Sequence, residues 1–186
     1  RLDLIVVLGD SRIVPPMVLE NNHVIGNHGA ALPQVQGAAT LVWARMLNLG
    51  YWGVSIFELE GQIDSGRVLC TDTFDYHENC TMEEFVNMSD NLTIECLEKV
   101  VLGDYDPTGN KKFDLRVSKH ADSEKSTEIL RKSLELGLNV YMPPRTPEDS
   151  VVNLSWDPDF IKVFKLANSD PYPTWSIKPE NDRRVK

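Results

Sequence analysis

The sequence predicts an α/β protein built on a mostly parallel sheet, and three features carry that prediction. The opening run Leu2-Asp3-Leu4-Ile5-Val6-Val7-Leu8-Gly9 is rich in β-branched residues, as in strands buried on both faces of a sheet. Strand-like and helix-like segments follow one another along the first hundred residues. With 186 residues, 41% of them hydrophobic, the chain can bury a substantial core.

A domain seldom begins with its most buried strand, so further residues are expected to precede Leu2. Gly9-Asp10-Ser11-Arg12-Ile13-Val14 turns away from the strand, and Pro15-Pro16-Met17-Val18-Leu19 opens a short helix with proline in its first turn. A second strand, from His23-Val24-Ile25, ends abruptly in Gly26-Asn27-His28-Gly29. A helix is expected over Gly37–Leu47, with Trp43 in the core and Asn48-Leu49-Gly50 as its stop. Tyr51–Leu59 and Arg67–Asp75 read as partner strands joined by Glu60-Gly61-Gln62-Ile63-Asp64-Ser65-Gly66. Thr81-Met82-Glu83-Glu84 satisfies the capping-box pattern for a helix to about Leu102, with Phe85, Met88, Leu92, Cys96 and Val100 as its core stripe.

From Asp104 the composition turns more polar, which divides the chain into a core over 1–103 and a small α+β appendage over 104–186. Asp106–Asn110 is expected as a loop and Phe113–Val117 as a short strand. An amphipathic helix over Ser126–Leu136 follows, then an extended crossing at Pro143-Pro144-Arg145-Thr146-Pro147. Trp156-Asp157-Pro158-Asp159 starts a helix through Leu166, with Asp157 as N-cap. Pro171-Tyr172-Pro173-Thr174-Trp175-Ser176-Ile177 leads to a turn at 178–182 and a last strand, Arg183–Lys186, which reads as half of a hairpin and implies residues beyond it.

The formal net charge of −9 argues against a nucleic-acid partner, because phosphate binding needs a concentrated positive surface. The basic pairs Lys111-Lys112 and Arg183-Arg184 are best explained as solvated turns. No run approaches the ~20 apolar residues of a membrane span, and no secretory signal opens the chain, so a soluble, cytoplasmic protein is expected. Cys70, Cys80 and Cys96 have neither metal-like spacing nor an even count, which points to reduced thiols and to no metal. The four Asn-x-Ser/Thr matches, at Asn79, Asn87, Asn91 and Asn153, are read as chance.

Chemistry concentrates where the second strand delivers Asn27 and His28 to a sheet edge and where the later loop presents Asp64. The bland alternatives are a satisfied core histidine and a turn-stabilising aspartate before Ser-Gly. The order Asn27, His28, Leu32-Pro33, a Trp-bearing helix, Gly53-Val54-Ser55-Ile56, then Asp64-Ser65-Gly66-Arg67-Val68-Leu69 resembles the catalytic core of the folate-dependent formyltransferases. Arg145-Thr146-Pro147-Glu148-Asp149, through Trp156 to Pro171-Tyr172-Pro173, is similar to the segment after that core in the members acting on tRNA and on nucleotide sugars.

The resemblance implies the doubly wound formyltransferase fold with its N-terminal half lacking, and formyl transfer from 10-formyltetrahydrofolate to a primary amine. His28 would polarise the formyl oxygen, Asp64 would pair with it and draw off the amine proton, and Asn27 would complete the oxyanion contacts. Arg12, Ile13 and Val14, with Gly61, Gln62 and Ile63, fall at positions that line the donor's pterin pocket. The sequence departs from the family in two places. The family asparagine stands two residues before the histidine, where this chain has Gly26, and Gly29 and Ala30 replace the usual Pro-Ser. Adjacent strand residues face opposite ways, so Asn27 would reach the oxyanion only if the flanking glycines distort the strand.

The acidic balance favours a nucleotide-linked amino sugar as the amine. Methionyl-tRNA is the alternative, and a folate- or nucleotide-binding protein of impaired catalysis, suggested by Gly26, is a third. A homodimer is compatible with each.

Overall fold

A computed structural model of the chain describes residues 2–10, 12–105 and 122–177. The expected loop at 106–110, strand at 113–117, basic pairs and final turn and strand all lie outside them. Among the described residues, strands β1 (Ile5–Val7), β2 (Val24–His28), β4 (Tyr51–Glu58) and β5 (Val68–Asp75) form a mixed sheet in the order β1-β2-β4-β5. β1 runs parallel to β2, whereas β2–β4 and β4–β5 are antiparallel. The helix α1 (Pro16–Asn21), with proline at its start, is the crossover between β1 and β2.

β1 is three residues long and stands at the edge of the described sheet, with Val6 on it 40% exposed. Leu4 beside it packs against the cluster of Ile25, Val54 and Ile56.

The strand β3 (Val35–Gly37) precedes α2 (Thr40–Leu47). The helix therefore starts three residues later than its periodicity suggests. Gly37, at φ 102, ends β3, and Ala39, at φ 53, turns the chain into α2. Gly37 is required there, because an added Cβ would run into the Met142 carbonyl oxygen. α2 ends at Asn48 in the left-handed conformation, whose N–H bonds the Ala44 carbonyl.

α3 (Met82–Leu102) has the expected capping box, Thr81 with Glu84, and a left-handed Gly103 at its C-cap. Its stripe of Phe85, Leu92 and Cys96 is buried, with Met88 and Val100 half-buried beside it. α4 (Ser123–Glu135) begins three residues earlier than expected because Asp122 accepts from the Glu124 and Lys125 N–H groups. α5 (Pro158–Ala167) is capped by Asp157, as expected.

The crossing segment conceals short elements. β6 (Val140–Met142) pairs in parallel with β3, a 3-10 turn covers Pro147–Ser150, and β7 (Val151–Val152) pairs in parallel with β8 (Ser176–Ile177). One apolar cluster joins both sides of residue 103: Trp43, Met46 and Phe85 pack with Leu130, Met142, Trp156 and Phe164. Trp43 is fully buried in it and donates its indole N–H to the Pro143 carbonyl over 2.8 Å. Burial of each such side chain contributes about 1.5–3 kcal/mol.

At its centre, Arg145 stacks on Trp43 (4.9 Å to the ring centroid) and donates to the Asp149 carbonyl (2.7 Å) and Asn168 Oδ1 (3.1 Å). Burial pulls its guanidinium down to about 10, which leaves it cationic at neutral pH.

Candidate active site

Alternation along β2 decides what faces the site. Ile25 belongs to the cluster under α3, with Val54, Ile56, Leu69, Leu92 and Cys96. His28 points to the other face, opposite Ser55 in register and edge-on to Phe57 at 6.5 Å between ring centroids. Its Nε2–H donates to the Val35 carbonyl (3.0 Å), an oxygen that can only accept, and Nδ1 lies 3.5 Å from Asp64 Oδ1. The two side chains are 8% and 10% exposed.

Asp64 reaches His28 from the loop between β4 and β5 and sits in the left-handed region at φ 53. Its Oδ2 accepts from the Gly37 N–H (2.8 Å), and its main-chain carbonyl accepts from Gln36 Nε2 (2.6 Å). One carboxylate oxygen is thus bound, and the other is turned to the imidazole. The loop closes through Gly66, where an added Cβ would run into the Glu58 carbonyl oxygen.

Burial pulls the His28 pKa below its ordinary value, while the Asp64 charge and the Val35 carbonyl act in the opposite direction. At neutral pH the ring is therefore mainly neutral, with its proton on Nε2 and a lone pair on Nδ1 toward Asp64. A proton taken up at Nδ1 would be held between imidazole and carboxylate. The pair can accept and return a proton in a nearly dry setting, which is general acid–base chemistry.

The segment after His28 is laced to β4. Ser55 Oγ accepts from the Leu32 N–H (2.8 Å) and donates to the Ala30 carbonyl (2.9 Å), and Trp52 Nε1 donates to the Gly29 carbonyl (2.8 Å). Gly53 keeps this approach open, because a Cβ there would meet Ala31 Cβ at 2.9 Å.

Asn27 does not join His28. β2 stays in regular register past the glycine, with Gly26 opposite Phe57 and Asn27 opposite Ile56, so the distortion allowed by the flanking glycines is absent. Asn27 faces the α3 side, and its Oδ1 accepts from the Gly9 N–H (2.9 Å), tying down the turn after β1. Position 26 is crowded, since a Cβ would lie 3.0 Å from Leu59 Cδ2 and 3.2 Å from the Val7 carbonyl oxygen.

The six residues expected to line the pterin pocket lie in two loops on the surface. Arg12 is exposed and forks onto Asp10 (2.7 Å), holding that carboxyl down at about 2, while Ile13 is 78% exposed and Val14 half-buried. Gly61 and Gln62 are exposed, and Ile63 is 62% exposed. None of the six touches the His28–Asp64 pair through a hydrogen bond described for the site.

Sequence reasoning missed Val35, Gln36, Gly37 and Ser55, which hold the pair and its turn. The one available signal was Gly37 inside Gln36-Gly37-Ala38-Ala39, a glycine where a helix was expected to begin. A separate cavity of about 590 Å³ lies away from the pair, among Asp122, Glu148, Val152, Trp156 and Ile177.

No family model matches the chain. Among curated proteins it is 28% identical to a methionyl-tRNA formyltransferase of Synechococcus sp., over 66% of this chain and 39% of that protein. The chain spans 39–52% of the length of curated relatives of that kind. Among solved structures, a methionyl-tRNA formyltransferase from Clostridium thermocellum superposes with a TM-score of 0.68 at 18% identity, covering 94% of this chain and 67% of the other. A 4-N formyltransferase from Francisella tularensis gives 0.64 at 13% identity, over 96% of this chain and 66% of the other. HypX from Aquifex aeolicus in complex with tetrahydrofolic acid gives 0.63 at 20% identity, over 91% of this chain and 26% of the other. At these identities the superpositions establish the fold.

Proposed function

We propose that this chain, which resembles the folate-dependent formyltransferases in sequence and fold, transfers the formyl group of 10-formyltetrahydrofolate to a primary amine. The observation that carries the proposal is the His28–Asp64 pair, an imidazole and a carboxylate 3.5 Å apart at the end of β2.

In this reading the amine nitrogen attacks the formyl carbon, and negative charge builds on the formyl oxygen. His28 offers its Nε2–H to that oxygen in exchange for the Val35 carbonyl it holds at rest. The amine's proton passes toward Nδ1, where Asp64 stabilises the imidazolium. Collapse of the tetrahedral centre breaks the bond from the formyl carbon to N10 of the folate, and N10 takes the proton. Arg12, Ile13 and Val14, with Gly61, Gln62 and Ile63, are proposed to flank the pterin. Asn27 acts indirectly, by anchoring the turn that carries Arg12–Val14. The same reading places the protein in the cytoplasm, supported by the free thiols of Cys70, Cys80 and Cys96.

For the acceptor we favour a nucleotide-linked amino sugar, supported by the net charge of −9. The second reading, methionyl-tRNA, draws on the identity with tRNA formyltransferases. The third, a binding protein of impaired catalysis, draws on the crowding at Gly26 and the outward Asn27. Release of tetrahydrofolate is the test, with 10-formyltetrahydrofolate and either aminosugar nucleotides or methionyl-tRNA as acceptor. Turnover with an aminosugar nucleotide is expected. Turnover with methionyl-tRNA alone selects the second reading, and donor binding without turnover selects the third.

A further inference from the structure

Three consecutive residues of β3 bear on the His28–Asp64 pair. Val35 accepts from His28 Nε2–H through its carbonyl (3.0 Å), Gln36 donates its carboxamide N–H to the Asp64 carbonyl (2.6 Å), and Gly37 donates its main-chain N–H to the Asp64 carboxylate (2.8 Å). The strand is itself fixed from behind by β6, with Gln36 in register with Tyr141. Hydrogen bonds from Val140 N–H to the Gln34 carbonyl (2.8 Å) and from Ala38 N–H to the Met142 carbonyl (2.9 Å) extend that pairing. Two of the three contacts are main-chain and follow from the path of the strand. The third belongs to one side chain, and Gln36 is buried.

That side chain grips a residue whose backbone is unfavourable. Asp64 lies at φ 53, a region that side-chain-bearing residues rarely occupy unless their surroundings enforce it. The loop that carries it is exposed on either side, at Gly61–Ile63 and Arg67. The Gln36 bond to the Asp64 carbonyl fixes the peptide unit that follows the left-handed residue, which is where the carboxylate's direction is set.

We propose that Gln36 is a positioning residue: its buried carboxamide holds the Asp64 main chain in the left-handed conformation that turns the carboxylate toward His28. Gln36 does not touch the reacting groups in this role. It acts through Asp64, and the role extends the reaction proposed above, although the contact it explains exists without substrate.

The test reads His28 directly. The imidazole of the folded protein is titrated by NMR in wild type, Asp64→Asn, Gln36→Ala and Gln36→Met, with thermal unfolding as a check on folding. Gln36→Met keeps the length and removes the donor without adding a charge, so it serves if the alanine variant does not fold. The Asp64→Asn variant sets the scale, because loss of the carboxylate removes the larger of the two influences that oppose burial and so lowers the His28 pKa. A downward shift of the same direction in the Gln36 variants supports the proposal. Where formyl transfer is measured, kcat should fall on the order of 10- to 100-fold with KM for the donor unchanged. A His28 titration in a folded Gln36 variant that superposes on wild type would overturn the role. Absence of formyl transfer in the wild type would count against the proposed reaction and leave the titration to decide Gln36.

Discussion

His28 Nδ1 and Asp64 Oδ1 stand 3.5 Å apart although their elements leave opposite ends of the sheet. β4 runs antiparallel to β2, and the Leu59 N–H bonds the Val24 carbonyl, so the loop carrying Asp64 departs beside the start of β2. At about 3.3 Å per strand residue it must double back about 13 Å to reach His28. The left-handed Asp64, the β3 contacts and Gly66 make that return.

The first prediction concerns pH. Burial holds the His28 pKa of the folded protein below that of the unfolded chain, so the unfolded state binds more protons between the two values. Stability is then fully present above the ordinary imidazole value of ~6.5 and is lost as pH falls toward the folded value. The slope for this one group is up to about 1.4 kcal/mol per pH unit in that window. Urea unfolding from pH 7.5 to 5 should show it, and His28→Gln should flatten it.

Gly66 and Gly61 share a loop and should behave differently. A Cβ at Gly66 runs into the Glu58 carbonyl oxygen, whereas at Gly61 nothing lies within 4 Å. Gly66→Ala is expected to lose on the order of 3 kcal/mol or more, and Gly61→Ala to stay within about 0.5 kcal/mol, by urea unfolding.

Restoring the family's asparagine should not be benign. Gly26→Asn drives its Cβ against Leu59 and the Val7 carbonyl, for a loss of about 1–3 kcal/mol. Leu59→Ala in the same chain should recover part of it, because the closest contact is the leucine side chain. Equal and additive losses would show that the crowding lies in the main chain instead.

Cys96 should be inert in the folded protein. Burial, reinforced by the neighbouring Cys70 thiol, pushes it up to about 12, and burial also raises Cys80. Mass spectrometry after iodoacetamide at pH 8 should find Cys96 unmodified in the native state and modified in urea, since the thiolate is the reactive form.

The legible parts of this chain were those with local rules. The capping box at Thr81, the Asp157 cap and the stripe on α3 need only neighbouring residues, and the structure has all three. That His28 and Asp64 would meet was legible through the resemblance to the formyltransferases and not through any local rule. Two- and three-residue strands were not, because β3 and β6 exist by virtue of each other and neither run has a period to read. The start of α2 was misplaced for the same reason: Gly37 has its conformation because Met142 lies against it.

Single-turnover formyl transfer from 10-formyltetrahydrofolate to the accepted amine, compared between wild type and His28→Ala, tests the central claim most directly, with donor affinity measured in parallel. The expected result is a rate loss of at least about 100-fold with donor affinity largely kept. An unchanged rate in the His28→Ala protein would contradict it.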